Sequence, residues 1–327
     1  MSIGKSFPRV GVETSCAAPG GYPRVVMSDQ VHASSRVPPA IRAVRPRQWI
    51  KNVLVLSAPL AAGRLFEAPI LRASALAFVA FCLISGTIYL INDIRDVDED
   101  RLHPKKQFRP IPAGELSIRT AWILAVIIGV IGLGIGWATS IPLGATLLIY
   151  LLLQIGYSIF LKHQPVIDLA IVASGFLLRA TAGGVAADIP LSQWFLLVAS
   201  FGSLFMVAGK RYSEMLSLGA DAGTRKSLAS YTDTYLRFTW MLAATMVLIS
   251  YSLWAFENLD RGPLGVGWTA ISIAPFTLGL LQYAREIDIG EAGEPEDVVL
   301  RDRVLQVFGL LWLIVICIAV FGPSPHP

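Results

Sequence analysis

The residues best suited to chemistry form one short run, Tyr89-Leu-Ile-Asn92-Asp93-Ile-Arg95-Asp96-Val-Asp98-Glu99-Asp100-Arg101. Asn92, Asp96 and Asp100 are spaced i, i+4, i+8. On a continuing helix their oxygens stack along one face, with Asp93 on the adjoining edge. Carboxylates held this close repel one another unless a cation lies between them. An all-oxygen set with few protein ligands suits magnesium, which keeps several waters and shares its shell with substrate phosphates. A solvated acidic helix end paired with Arg95 and Arg101 would account for the charges but not for the regular spacing. The pattern therefore predicts a magnesium site on Asn92, Asp96 and Asp100.

The run continues as Leu102-His-Pro-Lys105-Lys106-Gln-Phe-Arg109-Pro-Ile-Pro-Ala-Gly114. Cations beside an acidic cluster make sense if the missing partner is itself polyanionic, such as a diphosphate. Arg101, Lys105 and Arg109 are candidate substrate ligands on this ground. The same residues would also satisfy the excess of positive charge on cytoplasmic loops, and the residues alone leave both readings open.

Membrane helices must position this cluster. The chain has 327 residues, of which 54% are hydrophobic and 15% charged, against about 25% charged in a soluble domain. From Trp122 to Leu161 there is no Asp, Glu, Lys or Arg, enough for about two spans of 20 residues. Run length predicts nine spans, at 50–66, 71–93, 119–138, 143–161, 166–187, 192–209, 235–256, 264–284 and 303–321. The first is short and is interrupted by Pro59. With the N-terminus inside, 23 basic residues fall on the inner side and three outside, with Arg179 inside a span. The prediction is an all-α, multi-pass protein of a bacterial inner membrane, with its N-terminus and active site cytoplasmic and its C-terminus outside. Residues 1–40 read as a disordered cytoplasmic tail, 41–322 as one transmembrane catalytic domain and 323–327 as a short tail. Cys16, Cys82 and Cys317 are too scattered for a metal or disulfide framework. The basic residues collect at the inner membrane face, and no nucleic-acid partner is expected.

The Asn92-x3-Asp96-x3-Asp100 pattern, the nine spans and the inner-face site resemble the UbiA superfamily of intramembrane prenyltransferases, over about residues 40 to 322. That resemblance implies magnesium diphosphate held between two acidic segments, after the second and sixth spans. Here the second segment reads Val207-Ala-Gly209-Lys210-Arg211-Tyr212-Ser213-Glu214-Met215, with two cations where prenyl-transferring members carry two aspartates. Further segments are Arg45-Pro-Arg-Gln-Trp49-Ile-Lys51-Asn52, Gly156-Tyr157-Ser158, Asp168 and Gly290-Glu-Ala-Gly-Glu294. Together they resemble the branch that moves 5-phosphoribose from phosphoribosyl pyrophosphate to decaprenyl phosphate, for arabinan cell-wall precursors.

The resemblance implies roles for single residues. Asp96 and Asp100 would support catalysis through the metal. Lys51 and Lys162 would hold the diphosphate or the acceptor phosphate, although lysines at this height also snorkel. Asn52 and Tyr157 lie near the same level. Lys210, Arg211 and Tyr212 would meet the ribose 5-phosphate, and two gained cations predict a donor more anionic than a prenyl diphosphate. Arg179, about 16 Å into its span from Asp168, either lines the substrate cavity or marks a helix broken near Gly183-Gly184. A homotrimer is compatible with the resemblance. The alternatives are an ordinary prenyltransferase, which predicts the missing aspartate pair, and a transporter, which predicts ionisable groups near the midplane and internal repeats.

Overall fold

The computed structural model describes residues 37–161, 164–218 and 231–322. Residues 1–36 and 323–327, expected as tails, lie outside the described residues, as does Lys162. The first helix of the described residues is α1 (Pro39–Ala43). A 3₁₀ helix (Pro46–Leu56) leads into α2 (Ser57–Ala61), α3 (Ala68–Arg95), α4 (Val97–Leu102) and α5 (Ile118–Thr139). The remaining helices are α6 (Ile141–Ile159), α7 (Ile167–Ala186), α8 (Gln193–Leu218), α9 (Asp233–Glu257), α10 (Trp268–Ile271), α11 (Ile273–Asp288), α12 (Pro295–Arg301) and α13 (Arg303–Phe321). Among the described residues there is no strand.

The helix ends follow local chemistry. Ser117, Ser140, Thr232 and Asp302 each accept a backbone N–H of the first turn that follows, at α5, α6, α9 and α13. Seven helices, α3, α5, α6, α7, α8, α9 and α13, are long and apolar enough to cross a membrane by length and composition. Burial ranks them. The apolar windows of α3 and α7 are 61% and 56% buried, against 11% for α13, so α3 and α7 form the centre and α13 the lipid-facing rim. Exposed Val307 and Leu310 on α13, with Val126 and Val130 on α5, present surfaces suited to hydrocarbon.

Two of the nine expected spans are built differently. The first is the 3₁₀ helix followed by α2. A 3₁₀ helix rises about 2.0 Å per residue, more than an α-helix, and neither piece is among the seven helices long and apolar enough to cross. The eighth breaks at Ser272 into α10 and α11 and runs to Asp288, four residues beyond the expected end. The sixth, α8, extends nine residues beyond its expected end, which places Lys210, Arg211 and Tyr212 on a continuous helix.

The 3₁₀ helix packs against α7 at Gly183, where an added Cβ would lie 2.0 Å from the backbone oxygen of Val55 and 3.0 Å from Pro59. Backbone cannot swing away as a side chain can. Gly183→Ala is expected to destabilise the fold by about 1–3 kcal/mol, read as a lower melting midpoint in detergent. An unchanged midpoint would mean that the first segment is not held against α7.

Alternation of the helices then gathers the chemistry. The C-terminal ends of α3, α6, α8 and α11 and the N-terminal ends of α5, α7, α9 and α13 share one end of the bundle. The turns at the opposite end carry the Arg64–Glu67 ion pair and the scattered Asp188, Asp260 and Arg261.

Candidate active site

The acidic run keeps its helical register across the join of α3 and α4. Asp96 N–H donates to the Asn92 carbonyl at 2.9 Å, and Asp100 N–H to the Asp96 carbonyl at 2.8 Å. Asn92, Asp96 and Asp100 therefore stand on successive turns. The C-terminal end of a helix already carries partial negative charge, so stacking carboxylates there is unfavourable unless cations compensate.

Three basic side chains do so. Arg45 pairs with Asp93 and lies 4.9 Å from the centroid of the Tyr89 ring. Arg109 Nη1 bridges Asp93 Oδ1 at 3.2 Å and Asp100 Oδ2 at 2.6 Å, and Lys106 Nζ lies 3.4 Å from Asp100 Oδ1. Asp93 and Asp100 are each 1% exposed. Pro110, Pro112 and a Gly114 with φ +78° make the turn that returns Arg109 to the cluster. Arg45 itself has φ +53° immediately before Pro46, a strained backbone for a non-glycine residue. Burial pulls its guanidinium below the usual arginine value, opposed chiefly by Asp93.

Arg101 turns away from this centre to Asp98 at 3.2 Å, and Lys105 is exposed. Ser158, at the end of α6, donates to Asn92 Oδ1 at 2.6 Å and ties the two helix ends together. Lys51 is half-buried on the 3₁₀ helix.

The second segment faces a carboxylate that enters from α7. Asp168, fully buried in the first turn, accepts from Tyr157 at 2.6 Å and from Arg211 Nε and Nη2 at 3.2 Å each. Arg211 Nη1 also donates to Glu214 at 3.0 Å, and Lys210 Nζ lies 3.0 Å from Glu294 and 3.8 Å from Glu214. The chain enters α7 through a γ-turn at Val166, φ +66°, with Ile167 N–H donating to the Pro165 carbonyl at 2.7 Å. The Tyr231 hydroxyl accepts from Val166 N–H at 2.8 Å and pins this strained residue.

Three sequence expectations change here. Lys210 and Arg211 do not stand as surplus cations, because Asp168, Glu214 and Glu294 already balance them. The inference of a more anionic donor from their charge alone therefore fails. Tyr212 is fully buried and its hydroxyl accepts from Arg237 Nε at 3.1 Å, so it presents no face to a phosphate. Arg179 lies buried on an unbroken α7. It donates to Asn52 Oδ1 at 2.8 Å, to the Gly175 carbonyl at 2.9 Å and to the Tyr150 hydroxyl, beneath the rings of Tyr150 and Phe176. Asn52, 1% exposed, uses its amide on Ser85 and Cys82 at 3.3 Å. Arg179 and Asn52 thus clamp the first segment onto α7. Sequence reasoning missed Arg45 and Asp168 as site residues, although both stand in segments quoted above. An Asp inside the first turn of an apolar span was the available signal.

Among the described residues no three His, Cys, Asp or Glu side chains converge on a point that could hold a metal ion. The mixed set of Asn92, Asp96 and Asp100 fits a hard divalent cation by donor type and by its continuous register. The buried Asp93 Oδ2, which has no hydrogen-bond partner, marks a local excess of acceptors that a cation would relieve.

Comparison with known proteins agrees with this layout. Residues 53–299 match the model of the UbiA prenyltransferase family. A Mycobacterium tuberculosis protein named decaprenyl-phosphate phosphoribosyltransferase is 51% identical over 288 residues, covering 86% of this chain and 94% of the relative. Its namesake in Mycolicibacterium smegmatis is 52% identical over 292 residues, covering 86% and 92%. A UbiA homologue from Archaeoglobus fulgidus, solved with GPP and Mg2+, superposes with a TM-score of 0.63 at 21% identity, over 86% of this chain and 99% of that one. The chain belongs to the UbiA prenyltransferase family.

Proposed function

We propose that this protein transfers 5-phosphoribose from phosphoribosyl pyrophosphate to a polyprenyl phosphate, decaprenyl phosphate in the named relatives, and releases diphosphate. The observation that carries this reading is the 51% identity to decaprenyl-phosphate phosphoribosyltransferase along 94% of that relative's length. The resulting lipid would feed arabinan assembly in the cell wall. An inner-membrane location with the clustered end cytoplasmic, and a homotrimeric assembly, belong to the same reading.

In the reaction the bond from the ribose anomeric carbon to the diphosphate oxygen breaks, and a bond to a lipid phosphate oxygen forms. Diphosphate leaves with the electron pair. The lipid phosphate is already ionised near neutral pH, so no strong general base is needed. The protein supplies alignment and stabilisation of the leaving group. Asn92, Asp96 and Asp100 would hold magnesium, which supplies charge neutralisation on the departing diphosphate. Arg109 and Lys106, half-buried beside Asp100, offer N–H donors to the same phosphates. Lys210 can exchange Glu294 for the ribose 5-phosphate. Arg211, fixed on Asp168 and Glu214, positions the end of α8 against α6 and α7. The positive charge developing on the sugar ring passes through an oxocarbenium-like state, and attack opposite the leaving group inverts the anomeric carbon.

Purified protein in detergent, with magnesium and a polyprenyl phosphate, tests this directly. Radiolabelled phosphoribosyl pyrophosphate goes into one tube, and labelled prenyl diphosphate with an aromatic acceptor into another. Label should enter the lipid phase only from the sugar donor. Label moving only in the second tube would make the chain an ordinary prenyltransferase.

A further inference from the structure

An apolar cavity of ≈ 390 Å³ opens between the 3₁₀ helix, α7, α8, α11 and α13. Leu54 and Met206 line it, about one helical turn along their helices from Lys51 and Lys210. Its wall is apolar apart from Ser203 and the tips of Tyr283 and Trp312, and Ser203 is bonded within its own helix at 2.6 Å. A second cavity of ≈ 490 Å³ lies at the opposite end, near Ala61, Arg261 and Val320. Val198, Phe276 and Trp312 line both, so the two spaces are separated by the thickness of a few side chains.

That separation is built from pinned aromatic rings. Trp312 Nε1 donates to the Tyr251 hydroxyl at 2.7 Å, and this hydroxyl shares a 2.6 Å bond with Ser272 Oγ. The Tyr251 ring stacks on Phe276 with centroids 4.0 Å apart, and Phe276 lies 6.0 Å from Trp312. Ser272 is the residue at which the eighth segment breaks, and it is fully buried. Leucines would fill this interior without any polar atom to satisfy. Rings held by buried hydrogen bonds cannot swing aside without leaving those atoms unpaired.

We propose that Trp312 and Phe276 form a fixed wall that sets how many isoprene units of the acceptor the protein itself grips. Units next to the phosphate pack in the inner cavity, and the tail turns out into the membrane at the wall. This assignment rests on the polyprenyl phosphate reading above. Packing gain per unit accumulates until the inner cavity is filled and then stops, so affinity rises with tail length to a plateau.

The test measures binding of polyprenyl monophosphates from geranylgeranyl to undecaprenyl by native mass spectrometry in detergent, with no donor present. Gly202 lines the inner cavity, and an added Cβ there meets only Val247 Cγ2, at 3.9 Å. Gly202→Leu should bring the plateau to shorter tails, reducing the preference for long over short acceptors by about tenfold. Trp312→Ala joins the two cavities and should move the plateau to longer tails. Gly202→Leu keeps the proposal testable even if Trp312→Ala fails to fold. Profiles of folded Gly202→Leu that superimpose on the wild type would overturn the wall. A wild type that shows this plateau yet moves no label from phosphoribosyl pyrophosphate would refute the transfer reaction and leave the wall standing.

Discussion

Asp100→Ala is expected to lower phosphoribosyl transfer by about a thousandfold or more. The carboxylate is 1% exposed and holds Arg109 at 2.6 Å and Lys106 at 3.4 Å, while the backbone register aligns it with Asn92 and Asp96. Its loss would remove an oxygen from the proposed magnesium set and release two cations from their partner. The isosteric Asp100→Asn separates these effects. It keeps the shape and an acceptor oxygen but not the charge, so it too should be nearly inactive if charge on the metal matters. Initial rates over a magnesium titration provide the readout. Rates for Asp100→Asn that recover partly at high magnesium fit a metal role, because a weakened site fills again by mass action. Wild-type rates for Asp100→Asn at ordinary magnesium would end the metal assignment.

The stacking of the acidic run was legible because it is local, whereas its partners Arg45 and Ser158, 48 and 66 positions from Asp93 and Asn92, were not. Asn92, Asp96 and Asp100 lie within nine residues, and helical periodicity alone stacks them. The second segment was misread because its compensation is distant. Asp168, 43 positions before Arg211, is invisible to any count of charges near residue 210. Arg179 shows the same limit more sharply. Its depth in the span followed from rise per residue, but its partner Asn52 is 127 positions away. The first segment fails for a different reason. Hydropathy measures residues, whereas a membrane measures ångströms, and a 3₁₀ helix delivers more length per residue. Pro59 marked that segment as irregular, yet nothing in its composition announced the stretched helix before it. The partition between the two cavities had no sequence signal, since Tyr251, Ser272 and Trp312 come from three separate helices or joins.

Asp168→Ala is expected to destabilise the protein by about 3 kcal/mol, the lower end of the cost of breaking a buried ion pair, because Arg211 keeps Glu214 as a second partner. The carboxylate is fully buried and Arg211 is 6% exposed, so water cannot replace the lost partner. Three helices meet at this one group, because Tyr157 comes from α6 and Arg211 from α8, while Asp168 sits at the start of α7 where negative charge is favoured. The melting midpoint in detergent should fall by on the order of ten degrees. Asp168→Asn keeps the acceptor for Tyr157 and should lose less. The paired change Asp168→Leu with Arg211→Met removes both charges, and packing can then recover much of the lost stability. Transfer separates structure from positioning in this double variant. If Arg211 aligns the end of α8 for the donor, the double variant regains its melting midpoint while its KM for phosphoribosyl pyrophosphate stays raised. If KM returns with the midpoint, the pair is only a fastening between helices. A wild-type midpoint for Asp168→Ala would contradict the buried pair itself, because Glu214 meets only Nη1 of Arg211 and the buried Nε and Nη2 would lose their acceptor.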